Sequence, residues 1–491
     1  MSIEWSSFPL KLIASLSPWD IFLRGACLLF LLDWIFYLPI FRSLFAEEKG
    51  CEWKARPSRW VILAAAGWLL SIGIAGFGPE PLQCIGWAAL WLIFRLVFIK
   101  RRWSSVRRGC GAPGFMSHWT ALWVFAVCLA RLIDGTGWLV GQIFFTMRLD
   151  FAIIMLCAGS YKIAVGYLRG NGMEFGQVNP IWGYHWKYFS KKNSGGFYPS
   201  LMNVLAASTE ILSGILLLVP DPRSQIVGAI LVSLSFLYVS FSIRLGRLAW
   251  LMALLPAVFL PGVLEGAKRD SAILGQLPHE WLVVLAIPFW IFMGLLPFIK
   301  LTQYYNLFAN RALPGLLQAV ITKIADGVPV IMWRVFTPDV TNFFVRIYKK
   351  EYKGKKLLVG EANTYEYKNW SNFWIKIRFL NVVESIALVN VFNTAKYFPS
   401  KPQLFKERLI RYAKSIASSY DLQIEELEFE YVIVKKMTEN FLFKPVMNIV
   451  VNLREDQIVK EVIDPEFDLS DTALLSPIRE CTSAGTYEKK K

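Results

Sequence analysis

The sequence predicts an all-α, multi-pass transmembrane bundle of about nine helices, followed by a small α+β soluble domain. Three observations predict it. Of 491 residues, 55% are hydrophobic and only 18% charged, against about a quarter charged in a soluble domain, so much of the surface must meet lipid. Apolar stretches of about 20 residues recur through the first 301 positions, and in lipid a helix satisfies its own backbone groups. Beyond residue 301 the pattern changes to short β-branched and aromatic runs bounded by Gly, Lys and Asn.

The expected spans are Ile21 to Phe45, Trp60 to Phe77, Leu82 to Ile99, His118 to Val140 and Phe144 to Leu168, then Leu201 to Val219, Gln225 to Ile243, Leu248 to Leu264 and Trp281 to Leu301. Trp60 to Phe77 and Leu248 to Leu264 are short or interrupted by Gly or Pro, the pattern of tilted or re-entrant segments. Met1 to Asp20 lacks a basic start and a small-residue cleavage site, so the first helix is expected to stay as an anchor. Residues 302–340 form an amphipathic connector broken by Pro314, Pro329 and Pro338. Its apolar face, Leu313, Leu316, Leu317, Val320, Ile321 and Ile324, suits either the membrane surface or the soluble domain. Within 341–460, Asn342 to Tyr348, Lys356 to Val359, Phe373 to Leu380, Ile386 to Phe392, Leu427 to Val434 and Val446 to Leu453 read as strands, and Leu404 to Ser419 as a helix. Residues 461–491, acidic from Glu461 to Asp471, read as a poorly ordered tail.

Positions 1 to 300 carry 26 basic and 15 acidic residues, so most of the net charge of +16 sits on the membrane half. It reads as a topology signal, and nucleic acid is excluded as a partner. The dense loop Lys100, Arg101, Arg102, Arg107, Arg108 is expected to be cytoplasmic, with Lys187 to Lys192, Arg244 to Arg247 and the C-terminal domain on the same side and the N-terminus outside. The expected localisation is a membrane, the inner one if the source is bacterial. Seven cysteines show no CxxC or Cys/His spacing, so neither a disulfide scaffold nor a metal site is expected.

Charge within a span is expensive and marks function or a buried pair. Asp33, Arg95, Arg131, Asp134, Arg148, Asp150, Lys162 and Glu210 qualify. Arg95 and Arg148 near helix ends can snorkel, and Arg131 and Asp134 can neutralise each other. Lys162 follows Ala158-Gly159-Ser160-Tyr161, where small residues let a neighbouring helix approach, and lies about 10 Å inside its span. Glu210 enters from the same side in the next span. The two either form a buried pair that fixes helix register or handle protons, a desolvated lysine being able to serve as a base. The intervening loop holds Tyr167, Glu174, Asn179, Trp182, Tyr184 and His185. It suits an aromatic interfacial belt or a site at the bundle mouth, with His185 joining Lys162 and Glu210 as a catalytic candidate and Tyr161, Tyr167, Glu174, Asn179, Trp182 and Tyr184 as substrate-binding ones.

The stretch Ala158-Gly159-Ser160-Tyr161-Lys162-Ile163, with Gly166-Tyr167, a glycine-rich turn and Asn179-Pro180, resembles the signature region of the HTTM superfamily, the membrane domain of vitamin K-dependent gamma-carboxylases. It is also similar to lipase maturation factors, whose later intramembrane Glu matches Glu210. The first resemblance implies that Lys162 is the base that begins oxidation of a reduced quinone, with dioxygen and carbon dioxide as co-reactants and a substrate glutamate as the group finally deprotonated. The second implies a non-enzymatic chaperone or scaffold whose soluble domain holds a client protein. Partners are then the bilayer and either a lipid-soluble substrate or a client. A transporter has less support, because no internal repeat of helices is visible.

Overall fold

The computed structural model describes residues 17–37, 59–99, 115–169, 172–180, 182–191, 196–243, 245, 247–268, 274–309, 313–330, 342–350, 356–358, 388, 391–392, 402–419, 425–437 and 440–467. The basic loop at 100–108, the side chain of Asp33, the expected strand at 373–380 and the tail from 468 lie outside them.

Helices dominate the first part. They are α1 (Pro18–Tyr37), α2 (Arg59–Phe77), α3 (Glu80–Ile93) with a π-helical end at Phe94–Ile99, α4 (Phe115–Ile133) and α5 (Trp138–Ala164). Then come α6 (Met173–Val178), α7 (Phe197–Leu218), α8 (Pro222–Ser242), α9 (Arg247–Leu254), α10 (Pro261–Lys268), α11 (His279–Phe308) and α12 (Gly315–Gly327). Five of them, α4, α5, α7, α8 and α11, are long and apolar enough to cross a membrane. The pair α9 and α10, bent by 70° at its break, makes a sixth if it counts as one span. That bend falls where Gly and Pro interrupt the pattern. The segment starts beside Ile243, which bridges to Gly183, and ends with Lys268 against Gly137, so it runs from one end of α5 to the other.

The chain turns where polar groups can satisfy helix ends. Asp134 divides α4 from α5: its Oδ2 accepts from Leu139 N at 2.6 Å and its Oδ1 from Thr136 N at 3.0 Å, so it caps the first turn of α5. This corrects three expectations. The fourth span ends at Ile133 and Val140 belongs to the fifth; Arg131 pairs with Glu80 at 2.7 Å rather than with Asp134; and Arg148 stands well inside α5, over the Phe145 ring at 5.6 Å, rather than near a helix end. Alternation of polarity cannot locate such a break, because both sides of it are apolar. The last long helix likewise runs on to Phe308, past the expected domain limit at 301.

Among the described residues the C-terminal part holds a sheet of antiparallel strands in the order β2-β1-β3-β4-β5, with β1 (Phe343–Lys350), β2 (Lys356–Leu358), β3 (Glu426–Lys436), β4 (Phe441–Asn452) and β5 (Gln457–Ile463), together with the helix α13 (Pro402–Ser419). Side chains alternate between the faces. Phe343, Val345, Phe429, Tyr431 and Ile433 pack on Phe405, Leu409 and Tyr412 of α13. On the other face, Phe344, Val432 and Val434 pack on Phe175, Val178, Trp182 and Phe189 of the loop between α5 and α7. Two expectations fail here. Leu388, Val391 and Phe392 are helical, not strand. Residues 461–463 close β5 instead of opening a disordered tail, because Asn452 and Asp456, the latter at φ 56°, turn the chain back along β4.

Candidate functional site

Small residues set the site. A Cβ on Gly159 of α5 would stand 2.5 Å from Ile211 Cγ1 and 2.9 Å from Ala207 O, and one on Gly214 of α7 would stand 2.9 Å from Ala152 O. The two helices therefore touch backbone to backbone at both points, as the Ala-Gly pattern predicts. Ala158 and Gly159 are buried in the crossing, whereas Ser160 faces outward.

The crossing brings Lys162 and Glu210 into a direct salt bridge, with Lys162 4% and Glu210 8% exposed. The second carboxylate oxygen, Glu210 Oε2, is buried without a hydrogen-bond partner in the protein. Lys162 Nζ also lies 5.7 Å from the Tyr167 ring centre. Tyr161, one position before Lys162, turns to α11 instead and packs on Tyr304 and Phe308 with ring separations of 6.5 and 5.6 Å.

The loop residues gather at the seam with the sheet. Glu174, 2% exposed, accepts from Asn203 Nδ2 at 2.9 Å and pairs with Lys436 of β3 at 2.9 Å. Asn203 Oδ1 accepts from Met173 N at 2.7 Å. Asn179, fully buried, donates to Phe343 O at 3.0 Å, and Asn342 donates back to Phe175 O at 2.9 Å. Trp182 packs between the sheet and the end of α8, and Tyr184 N donates to Ser242 O at 3.4 Å. These contacts hold the two parts of the chain together. His185 is exposed and precedes the helical turn Trp186–Phe189, so the structure does not bring it to Lys162.

Of the candidates, then, Lys162, Glu210, Tyr167 and Glu174 converge; Tyr161 adjoins them on another face; Asn179, Trp182 and Tyr184 serve the seam. Sequence reasoning missed Asn203 and Lys436. Asn203 was findable, since it precedes Glu210 by seven residues and so shares its helix face. It also missed Lys300, 3% exposed on α11, whose charge acts on the fully buried Asp150 of α5; Asp150 Oδ2 accepts from Trp119 Nε1 at 2.8 Å. Among the described residues no group of three or more His, Cys, Asp or Glu side chains could hold a metal ion. Comparison with known proteins yields no match to any family model, curated protein or solved structure.

Proposed function

We propose that this chain is a multi-pass membrane protein of about nine spans, similar to the HTTM-type gamma-carboxylases, in which Lys162 acts as a base on a quinol or another weakly acidic lipid-soluble substrate. The observation that carries the reading is the buried Lys162–Glu210 contact with Glu210 Oε2 left unpartnered. A pair kept only for helix register gains from having all its lone pairs satisfied. An acceptor for the lysine proton gains from a free oxygen. In this reading Glu210 holds the proton while Lys162 works as a neutral amine.

The residues present fit an aromatic quinol, since Glu210 Oε2 offers an acceptor and the ring of Tyr167 adjoins Lys162. When bound, such a group supplies a hydroxyl whose deprotonation begins its oxidation. Lys162 would take that proton while Glu210 holds the one the ammonium gave up, and Tyr167 would shield the amine from water. The 172–189 loop packs on the C-terminal sheet, and in this reading the charge count assigns both to the cytoplasmic side.

A second reading has its own support. Strand β5 is an edge strand among the described residues and exposes Val459, Val462 and Ile463, a surface that a client's strand could extend, as in a maturation factor. Mass spectrometry of the purified protein separates the two. A quinone retained by the wild-type protein and lost in Lys162→Ala supports the base. A protein without bound quinone that captures a client through residues 340–491 supports the chaperone.

A further inference from the structure

A base that turns over must return each proton to water, and Lys162 and Glu210 are both buried. Two groups lead from them toward the seam. Tyr167 is 1% exposed, with its ring beside Lys162 Nζ. Its phenol end and the Asn203 side chain converge on Gly172: a Cβ there would stand 2.7 Å from Tyr167 Cζ and would also collide with Asn203 Oδ1. Asn203 Nδ2 donates to Glu174. Tyr167 thus lies between Lys162, the partner of Glu210, and Asn203, the partner of Glu174. Glu174 in turn meets Lys436, whose side chain is 20% exposed, so the series ends at solvent.

We infer that Tyr167 and Glu174 form the proton exit of the Lys162–Glu210 pair, a role that rests on the reading of Lys162 as a base. The proton held on Glu210 passes to the Tyr167 oxygen as the phenol releases its own proton toward Glu174, and Glu174 gives it to water beside Lys436. One proton enters at Lys162 and one leaves to bulk water. Tyr167 ends as it began, and no electron moves. Asn203 does not titrate; it aims Glu174, and Gly172 is the residue that leaves room for both side chains.

The test follows Glu210 protonation by time-resolved infrared spectroscopy after a light-released proton pulse, on the full-length protein in nanodiscs, with Glu210→Gln identifying the carboxyl band. The exit predicts that Tyr167→Phe slows the band by at least about a hundredfold, the low end of what a positioned proton-transfer group contributes, and leaves its final amplitude unchanged. Glu174→Gln, which keeps the Asn203 contact, should slow it similarly. Wild-type rates in both variants overturn the exit while leaving the base reading standing. A lower amplitude at an unchanged rate is what packing alone predicts and overturns it too. A wild-type band that never responds to the pulse removes the base reading, and the exit with it.

Discussion

Gly159→Ala probes the contact on which the site depends. The added methyl would meet Ile211 Cγ1 at 2.5 Å, Ala207 O at 2.9 Å and Ile211 N at 3.2 Å. Two of these are backbone atoms, which cannot rotate away, so α7 must shift outward. Overpacking of this kind costs about 1–3 kcal/mol. Alanine's better helix propensity returns up to about 1 kcal/mol, leaving a net loss of up to about 2 kcal/mol when the full gain applies. Gly294→Ala in α11 is the control, because a Cβ there meets nothing within 4 Å and only the propensity gain applies. Unfolding of both variants in mixed micelles, followed by circular dichroism against rising SDS, should place them about tenfold or more apart in unfolding equilibrium. If Gly159→Ala proves as stable as Gly294→Ala, the α5–α7 crossing described here is wrong, and the Lys162–Glu210 pairing loses its structural basis.

Three further outcomes are expected. Lys162→Met strands the Glu210 carboxylate in the bundle and should cost about 3–5 kcal/mol, whereas Lys162→Met combined with Glu210→Gln should recover most of that loss, read in the same SDS titration. Lys436→Met removes one of the two partners of Glu174 and should cost about 2 kcal/mol at the seam, seen as faster hydrogen exchange of the amides in 172–189 with α4 unaffected. Tyr431, fully buried between sheet and α13, holds its phenol well above the ordinary value of 10.0 through desolvation. Unfolded chains release that proton above pH 10 and folded ones do not, so the C-terminal sheet and α13 should lose stability as pH rises beyond 10, and Tyr431→Phe should flatten that decline in alkaline thermal melts.

What the sequence made legible was whatever depends on composition and local pattern. The apolar helices, the Gly159 crossing, the break after α9 and strands β1 and β3 follow from hydrophobicity, small residues and β-branched runs. Boundaries that depend on one polar cap escaped it: α4 ends at the short Asp134-Gly135-Thr136-Gly137 turn between two apolar runs, and the hydrogen bonds of Asp134 close that turn. Strand β5 was hidden by its composition, since an edge strand exposed along its length carries Lys460 and Glu461 like a tail. In the site, Lys162 and Glu210 stood out because charge in a span is costly. Asn203 could have been read from the helix face it shares with Glu210; Lys436 could not, because its role arises from a contact between α6 and a strand more than 200 residues later in the chain.

The central claim, that the Lys162–Glu210 pair is a working base and not only a strut, is met most directly by oxygen-dependent oxidation of menaquinol added to the purified protein in nanodiscs. The account predicts oxidation by the wild-type protein and none by the Lys162→Met/Glu210→Gln double variant, which retains its fold. Oxidation by the double variant at the wild-type rate, or none by a folded wild-type protein, would contradict it.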